Sequence, residues 1–204
     1  MNRGVKLAFA LVAVAALAGT LGYRLHACCE LRAQAGWRLI EPEPIEGQLP
    51  EIGLQDQDGD TRRLDRWRGK SLVLNFWATW CEPCKRELPH LARLAEALAD
   101  GQARVLLVSV DQSWTDVARQ AGQLQEAADA DPAWGRAAAM LRGELPNVEI
   151  LRDPGEKLAR ALGTTRYPET YLVGSDGRLR YRCVGPKAWG RAEAIAFMQR
   201  VLKP

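Results

Sequence analysis

The chain has 204 residues, 47% hydrophobic and 26% charged, a balance that excludes both a disordered chain and a polytopic membrane protein. That length holds one ordinary domain plus an extension, because domains run about 100–200 residues. Lys+Arg exceed Asp+Glu by only 28 − 25 = 3, with no basic run and an odd count of 5 Cys, so no nucleic-acid partner is expected and not every cysteine can pair within the chain.

Residues 1–6 are short and basic, and residues 7–22 (LAFALVAVAALAGTLG) carry no charge and no strong breaker. As a helix that run spans roughly 24 Å at about 1.5 Å per residue, somewhat short of a ~30 Å hydrocarbon core. It reads as an uncleaved membrane anchor or as the apolar region of a signal peptide. Two processing signals follow. Leu25-His26-Ala27-Cys28 loosely resembles a lipobox, which would make Cys28 a lipid-modified N-terminus, and Ala33-Gln34-Ala35 is an A-x-A cleavage site. Retained, lipidated and cleaved forms all place the remainder outside the cytoplasm. Positive-inside counting does not choose an orientation, since Arg3 and Lys6 precede the run and Arg24, Arg32 and Arg38 follow it. The expected division is 1–24 signal-anchor or signal peptide, 25–49 a Pro- and Glu-rich linker, and 50–204 the folded domain.

From residue 50 the pattern is regular. Residues 52–55 and 61–64 flank Asp58-Gly59, a hairpin signal. Residues 65–68 fit one helical turn, and 71–77 (SLVLNFW) a buried strand. Leu88, Leu91, Leu94, Ala95 and Leu98 recur at helical spacing, and Asp100-Gly101 is the expected stop. Residues 104–110 form a second buried strand. Residues 114–141 are Ala-rich and helical, with a possible break at Asp131-Pro132. Residues 147–151 are a third strand, and 155–162 a short helix closed by Gly163. Residues 169–173 and 178–184 flank Ser175-Asp176-Gly177, a second hairpin, and 191–202 form the closing helix. Helical crossovers imply parallel strands, whereas the last tight turn forces an antiparallel pair. The expected architecture is α/β, a mixed central sheet flanked by helices with a hairpin in front.

The chemistry centres on Trp80-Cys81-Glu82-Pro83-Cys84, directly after a buried strand and at a helix start. Unsatisfied N–H groups and the positive helix end favour thiolate there. A two-residue spacer lets the sulfurs meet across one turn, so outer Cys81 can attack a disulfide and inward Cys84 can resolve it. Pro83 suits the first turn, where its missing N–H is not needed. No second CxxC and no HxxxH completes a zinc set, and a metal site is not expected.

Residues 75–89, NFWATWCEPCKRELP, closely resemble the active-site segment of thioredoxin-like proteins. The greatest similarity is to the TlpA/ResA group, which includes the CcmG (DsbE)-type oxidoreductases of cytochrome c biogenesis. The front hairpin and residues 163–177 (GTTRYPETYLVGSDG) fit the same group, so the resemblance covers roughly residues 50–202. It implies a thioredoxin fold and an extracytoplasmic, membrane-tethered dithiol–disulfide oxidoreductase. No cofactor is implied beyond a redox-active Cys81–Cys84 disulfide. Cys81 matches the nucleophile, Cys84 the resolving thiol, and Pro168 the cis-proline that faces the CxxC. An aromatic before Pro favours the cis isomer, and a cis bond would leave the Tyr167 backbone free to pair with extended substrate. Tyr167, Pro168 and Trp80 are therefore the substrate-binding candidates. Asn75 stands where thioredoxin has a buried Asp, and it cannot titrate. Glu87 lies three residues after Cys84 on one helical face, matches an acid of the ResA-like group, and is assigned acid–base work. Glu82 is assigned a tuning charge alongside Pro83.

The expected activity is reduction of protein disulfides. Apocytochrome c and copper-centre proteins are candidate substrates, an upstream membrane thiol reductase restores the dithiol, and the N-terminus contacts the membrane. An oxidant or isomerase of the same fold, or a copper chaperone using the CxxC as ligands, are the alternatives. A copper protein of the Sco type would need CxxxC, and a peroxiredoxin would need Thr at the position of Ala78. Negative charge from Glu82 and Glu87 beside Cys81 should oppose thiolate and hold the reduction potential on the thioredoxin side. Cys183 in the last strand reads as a small buried hydrophobe.

Overall fold

The computed structural model describes residues 3–99 and 103–203, except the side chains of 3–17, 20, 25, 26 and 29. In chain order the elements are α1 (Arg3–Ile40), β1 (Glu43–Pro44), β2 (Gly53–Gln55), β3 (Thr61–Arg63), a 3-10 turn (Leu64–Trp67), β4 (Ser71–Trp77), α2 (Glu82–Ala97), β5 (Ala103–Ser109), α3 (Trp114–Glu126), α4 (Pro132–Leu141), β6 (Val148–Arg152), α5 (Lys157–Leu162), β7 (Glu169–Val173), β8 (Leu179–Val184) and α6 (Ala192–Val201). The expected stop at Asp100-Gly101 lies outside the described residues.

All seven residues of β4 are buried, which is why the strand reads as a continuous apolar run rather than an alternating one. It pairs in parallel with β5, and β5 with β6, through the helical crossovers. On its other side β4 pairs antiparallel with β7, and β7 with β8 across the Ser175-Asp176-Gly177 turn. The sheet order is β1-β8-β7-β4-β5-β6-β2-β3, the mixed sheet expected of a thioredoxin fold. The Asp58-Gly59 hairpin extends this sheet at the β6 edge, where Gln55 pairs with Arg152. Its turn is held by Asp56, whose Oδ1 accepts from the Asp58 and Asp60 backbone N–H groups, and Gly59 supplies a φ of +86°.

The Ala-rich stretch breaks where expected. Asp131 caps α4 by accepting from the Ala133 N–H, and Pro132 begins the helix. Helix α4 packs against both α3 and α2. Asn147 ties the same region together by donating to the Ala95 carbonyl at 2.8 Å.

Residues 25–49 are not the extended tether that their Pro and Glu content suggested. The chain is helical through Ile40, turns at Glu41 with φ +48°, and then forms β1 on β8. Apolar burial explains the difference. Ala33 and Ile40 are buried, and Trp37 stacks edge-to-face on Tyr181 and Phe197 at 5.4 and 5.6 Å between ring centroids. Gly36 permits the approach of α1 to α6, since a Cβ there would lie 2.0 Å from the Glu193 carbonyl oxygen. Arg200 of α6 pairs with Glu30. Side chains 7–17 of the apolar run lie outside the described residues, and among the described residues no helix is long and apolar enough to cross a membrane.

The Gly36 contact can be tested. Gly36→Leu should push α1 off α6, lower unfolding stability by about 1–3 kcal/mol, and speed protease cleavage within residues 30–42. Cleavage at the wild-type rate would show that the close approach is not what holds α1.

Candidate active site

The parallel strands end together, and their C-terminal edge is where an α/β sheet places its loops for chemistry. Asp111, directly after β5, is buried there. Its carboxylate accepts from the Thr79 N–H at 3.0 Å, the Thr79 hydroxyl at 2.8 Å and the Ser109 hydroxyl at 2.7 Å. This fixes the loop between β4 and α2. Nothing in the sequence reading singled out Asp111; the available signal was an acid at the end of a buried strand beside the Thr79 turn.

That loop delivers Cys81 to the N-cap of α2, where its sulfur accepts from the Cys84 N–H at 3.2 Å. Cys81 and Cys84 are joined as a disulfide with Cα atoms 5.3 Å apart. Both are buried, Cys81 at 6% exposure and Cys84 at 1%. Pro83 lies in the first turn of α2.

Cys84 begins a buried stripe that continues through Glu87, Leu88, Leu91 and Ala95. Glu87 is the charged residue in that stripe and only 2% exposed. Its Oε1 accepts from the Trp189 indole N–H at 2.5 Å and the Lys187 backbone N–H at 2.9 Å. Its Oε2 accepts from Asn75 Nδ2 at 3.2 Å. Asn75 also donates to the Thr170 hydroxyl at 2.9 Å, while its Oδ1 is buried with no hydrogen-bond partner among the described residues. Burial dominates the carboxyl's ionisation and pushes it from 4.5 up to about 7, against the opposing pull of the three N–H donors and the Lys187 charge. Glu87 is therefore no solvated helix residue, and its proton is exchangeable at neutral pH. The partners Asn75, Lys187 and Trp189 were not linked to it from sequence, because Lys187 and Trp189 lie 100 and 102 residues away and Asn75 is on a different element 12 residues before, so no local pattern joins them.

Glu82 differs from expectation. It is exposed, and Lys85 reaches it at 2.7 Å with Arg86 at 4.0 Å. The Lys85 hydrogen bond and charge hold its carboxyl below the usual range. Lys85 thus folds back on Glu82 and offsets its charge.

Trp80 is 66% exposed, and its ring packs edge-on against Tyr167 at 5.8 Å. This contact sets the Tyr167-Pro168 loop beside the CxxC turn, and the Tyr167-Pro168 bond is cis. Glu169, the next residue, is a buried acid that sequence reading passed over; it accepts from the Tyr171 hydroxyl at 2.5 Å. Trp77 is fully buried and belongs to the core rather than the rim. Cys183 is a buried free thiol, pushed up to about 12 chiefly by burial. Cys28 is free and exposed, and the side chains of His26 and Cys29 lie outside the described residues. Among the described residues, no group of three or more His, Cys, Asp or Glu is placed to hold a metal.

The family model described as AhpC/TSA family matches residues 45–182. The chain belongs to the AhpC/TSA family. Within the redoxins of this family it is similar to the thiol-disulfide oxidoreductase ResA of Geobacillus thermodenitrificans, 25% identical over 182 residues and 88% of each chain. The thioredoxin-like protein YneN of Bacillus subtilis is 41% identical over 58 residues, 28% of this chain and 34% of its own. The crystal structure assigned to a DsbE thiol:disulfide interchange protein of Chlorobium tepidum aligns with a TM-score of 0.58 at 21% identity, over 78% of this chain and 97% of that one. That likeness shows the thioredoxin-like fold. The ResA relatives and the joined cysteine pair mark this redoxin as a thiol–disulfide oxidoreductase, a class that works through its own cysteines.

The buried carboxyl gives a stability prediction with a definite sign. A group raised on folding supports the folded state below its unfolded value, and that support is lost as pH rises through the folded value. Between 4.5 and about 7 the oxidised protein should lose roughly 3 kcal/mol through Glu87, at 1.36 kcal/mol per unit. Glu87→Gln should lack this part of the slope. Denaturant unfolding across that range, compared between the two proteins, reads the difference directly.

Proposed function

We propose that this chain is an extracytoplasmic reductase of protein disulfides, with Cys81 as nucleophile, Cys84 as resolving thiol and Glu87 as proton acceptor. The observation that carries the reading is the Cys81–Cys84 disulfide at the N-terminus of α2, with the buried Glu87 carboxyl one helical turn after Cys84 on the same buried stripe.

In the reduced protein the helix N-terminus favours the Cys81 thiolate. This thiolate attacks one substrate sulfur, the substrate S–S bond breaks, and the leaving sulfur takes a proton from water. Cys84 passes its proton to Glu87 and attacks the Cys81 sulfur. The second substrate sulfur leaves and takes the proton that Glu87 accepted, and Cys81–Cys84 closes. The substrate has gained two electrons and two protons; both electrons and one proton come from the thiolate–thiol pair, and the other proton from solvent. A membrane thiol reductase upstream would recharge the pair. Trp80, Tyr167 and Pro168 would frame the approach of an extended substrate segment, with Pro83 and Glu82 tuning the turn. Cytochrome c maturation, with apocytochrome c as client, and reduction of copper-centre proteins are the settings this chemistry suits. The apolar run at 7–22 supports attachment to the outer face of the cytoplasmic membrane, with residues 50–204 as the working domain. Ala78, in place of the Thr that peroxide reduction requires, favours disulfide exchange over peroxidase chemistry.

Two measurements test this reading. Cys84→Ser should accumulate mixed disulfides through Cys81, whereas Cys81→Ser should not; equal trapping by both would defeat the assigned order. With Glu82 paired to Lys85, the charge argument for a reducing pair rests on Glu87. Equilibration with glutathione should still give a potential more negative than roughly −200 mV, and a value near about −120 mV would make the protein an oxidant instead.

A further inference from the structure

The loop between β8 and α6 carries no residue of the CxxC motif, yet it contacts Glu87 more closely than any other segment. Both hydrogen bonds to Oε1 come from it, one from the Lys187 backbone and one from the Trp189 indole. We propose that Trp189 is a positioning residue for Glu87: its indole N–H, together with the Lys187 N–H, holds Oε1 as a fixed acceptor, so that the carboxyl binds and releases its proton at Oε2. This inference rests on the reading that Glu87 exchanges a proton during disulfide exchange.

The argument is one of donors and acceptors. An indole N–H and a backbone N–H can only donate. A proton placed on Oε1 would face two donors and cost the site both bonds. Oε2 has a different neighbour. Asn75 Nδ2 donates to it at 3.2 Å, the longest of the three contacts. Turning the Asn75 amide would present Oδ1, which is buried without a partner among the described residues. Thr170 can serve either orientation, because a hydroxyl both donates and accepts. Only the Oε2 side can therefore satisfy the carboxyl in both its charge states.

Packing fixes where the indole points. Trp189 is fully buried. The next residue, Gly190, lies against α2 so closely that a Cβ there would come 3.1 Å from Arg93 Cδ and 3.2 Å from His90 Nδ1. A Trp at this place supplies bulk for the core and one donor for the acid.

The other charged and titratable groups around Glu87 do not share its range. From β8, Cys183 is held protonated by burial. After β8, the Lys187 ammonium favours the carboxylate and pairs with Glu41 at 3.8 Å. On α2 itself, Cys81 and Cys84 do not titrate while joined. Further along α2, His90 is held below its ordinary value by burial and by Arg93. Asn75 of β4 and Thr170 of β7 carry no charge. The oxidised protein thus isolates the Glu87 titration.

The test is a carboxyl-carbon NMR titration of the oxidised full chain, with the Glu87 signal assigned through Glu87→Gln. Trp189→Phe keeps most of the ring and removes the donor. The Glu87 midpoint should rise by about one pH unit, the tenfold change expected from one lost hydrogen bond to a charged group. In unmodified protein the Trp189 indole N–H resonance should titrate with the same midpoint as Glu87, a measurement that needs no variant to fold. An unmoved Glu87 midpoint in folded Trp189→Phe, or an indole resonance flat through the Glu87 titration, overturns the proposal. The pH profile of substrate release by the reduced protein separates it from the reading beneath it. A profile unchanged in Glu87→Gln overturns proton exchange by Glu87. A profile altered in Glu87→Gln but not in Trp189→Phe overturns the role of Trp189 alone.

Discussion

A carboxyl group buried in the apolar stripe of α2 constrains the rest of this molecule. Removing an acid from water without hydrogen bonds costs several kcal/mol, so the structure must bring donors to it. They come from β4 and from the loop after β8, segments that the chain order separates widely. The sheet supplies the geometry. In register, Asn75 of β4 lies opposite Thr170 of β7, and Thr170 opposite Cys183 of β8. Side chains directly opposite share a face, which lines up Asn75, Thr170 and Cys183 as a row of small buried side chains across the three strands. Glu87 is bonded to one end of that row, and Lys187 and Trp189 close over the carboxyl from the loop that follows the row's last strand.

Other buried acids serve the backbone rather than the chemistry. Asp111 gathers Thr79 and Ser109 and so sets the loop that feeds α2. Asp153 accepts from the Lys157, Leu158 and Ala159 N–H groups and caps α5. Asp56 organises the front hairpin in the same way and pairs with Arg62. Asp153 and Asp56 accept from N–H groups of their own turns, and Asp111 from the Thr79 N–H and the Thr79 and Ser109 hydroxyls. Two of the three donors to Glu87 come from 100 and 102 residues along the chain, and burial outweighs all three.

Most of the fold was legible because it is written in short-range signals. Continuous apolar runs marked β4 and β5, the Asp-Gly pairs marked both hairpins, and Asp131-Pro132 marked the break between α3 and α4. The CxxC at a strand-to-helix junction located the redox pair for the same reason. What escaped depends on contacts between distant segments. Pro and Glu made residues 25–49 read as a linker, but Ala33, Gly36, Trp37 and Ile40 form a helical face packed against α6 and β8. The partners of Glu87 were invisible for the same reason, and sequence does not show that Lys85 folds onto Glu82.

The contrast between the two glutamates near the disulfide decides how the site can be tuned. Glu82 stands in solvent beside Lys85 and Arg86, where screening and pairing leave little net field. Glu87 is enclosed, so its charge acts through a low-dielectric medium and its interactions are correspondingly strong. An exposed charge inside the motif is thus weaker than a buried one outside it. Sequence proximity to the cysteines is a poor measure of influence on them. The enclosure by β4 and the Trp189 loop is what raises the Glu87 carboxyl, whereas Glu82, inside the motif, is paired in solvent. Helix α1 bears on the same enclosure from outside, since Trp37 packs on Tyr181 of β8 and on Phe197 of α6, the two elements that the Glu87-holding loop connects. The N-terminal helix is therefore packed, through these rings, on both elements that flank the loop.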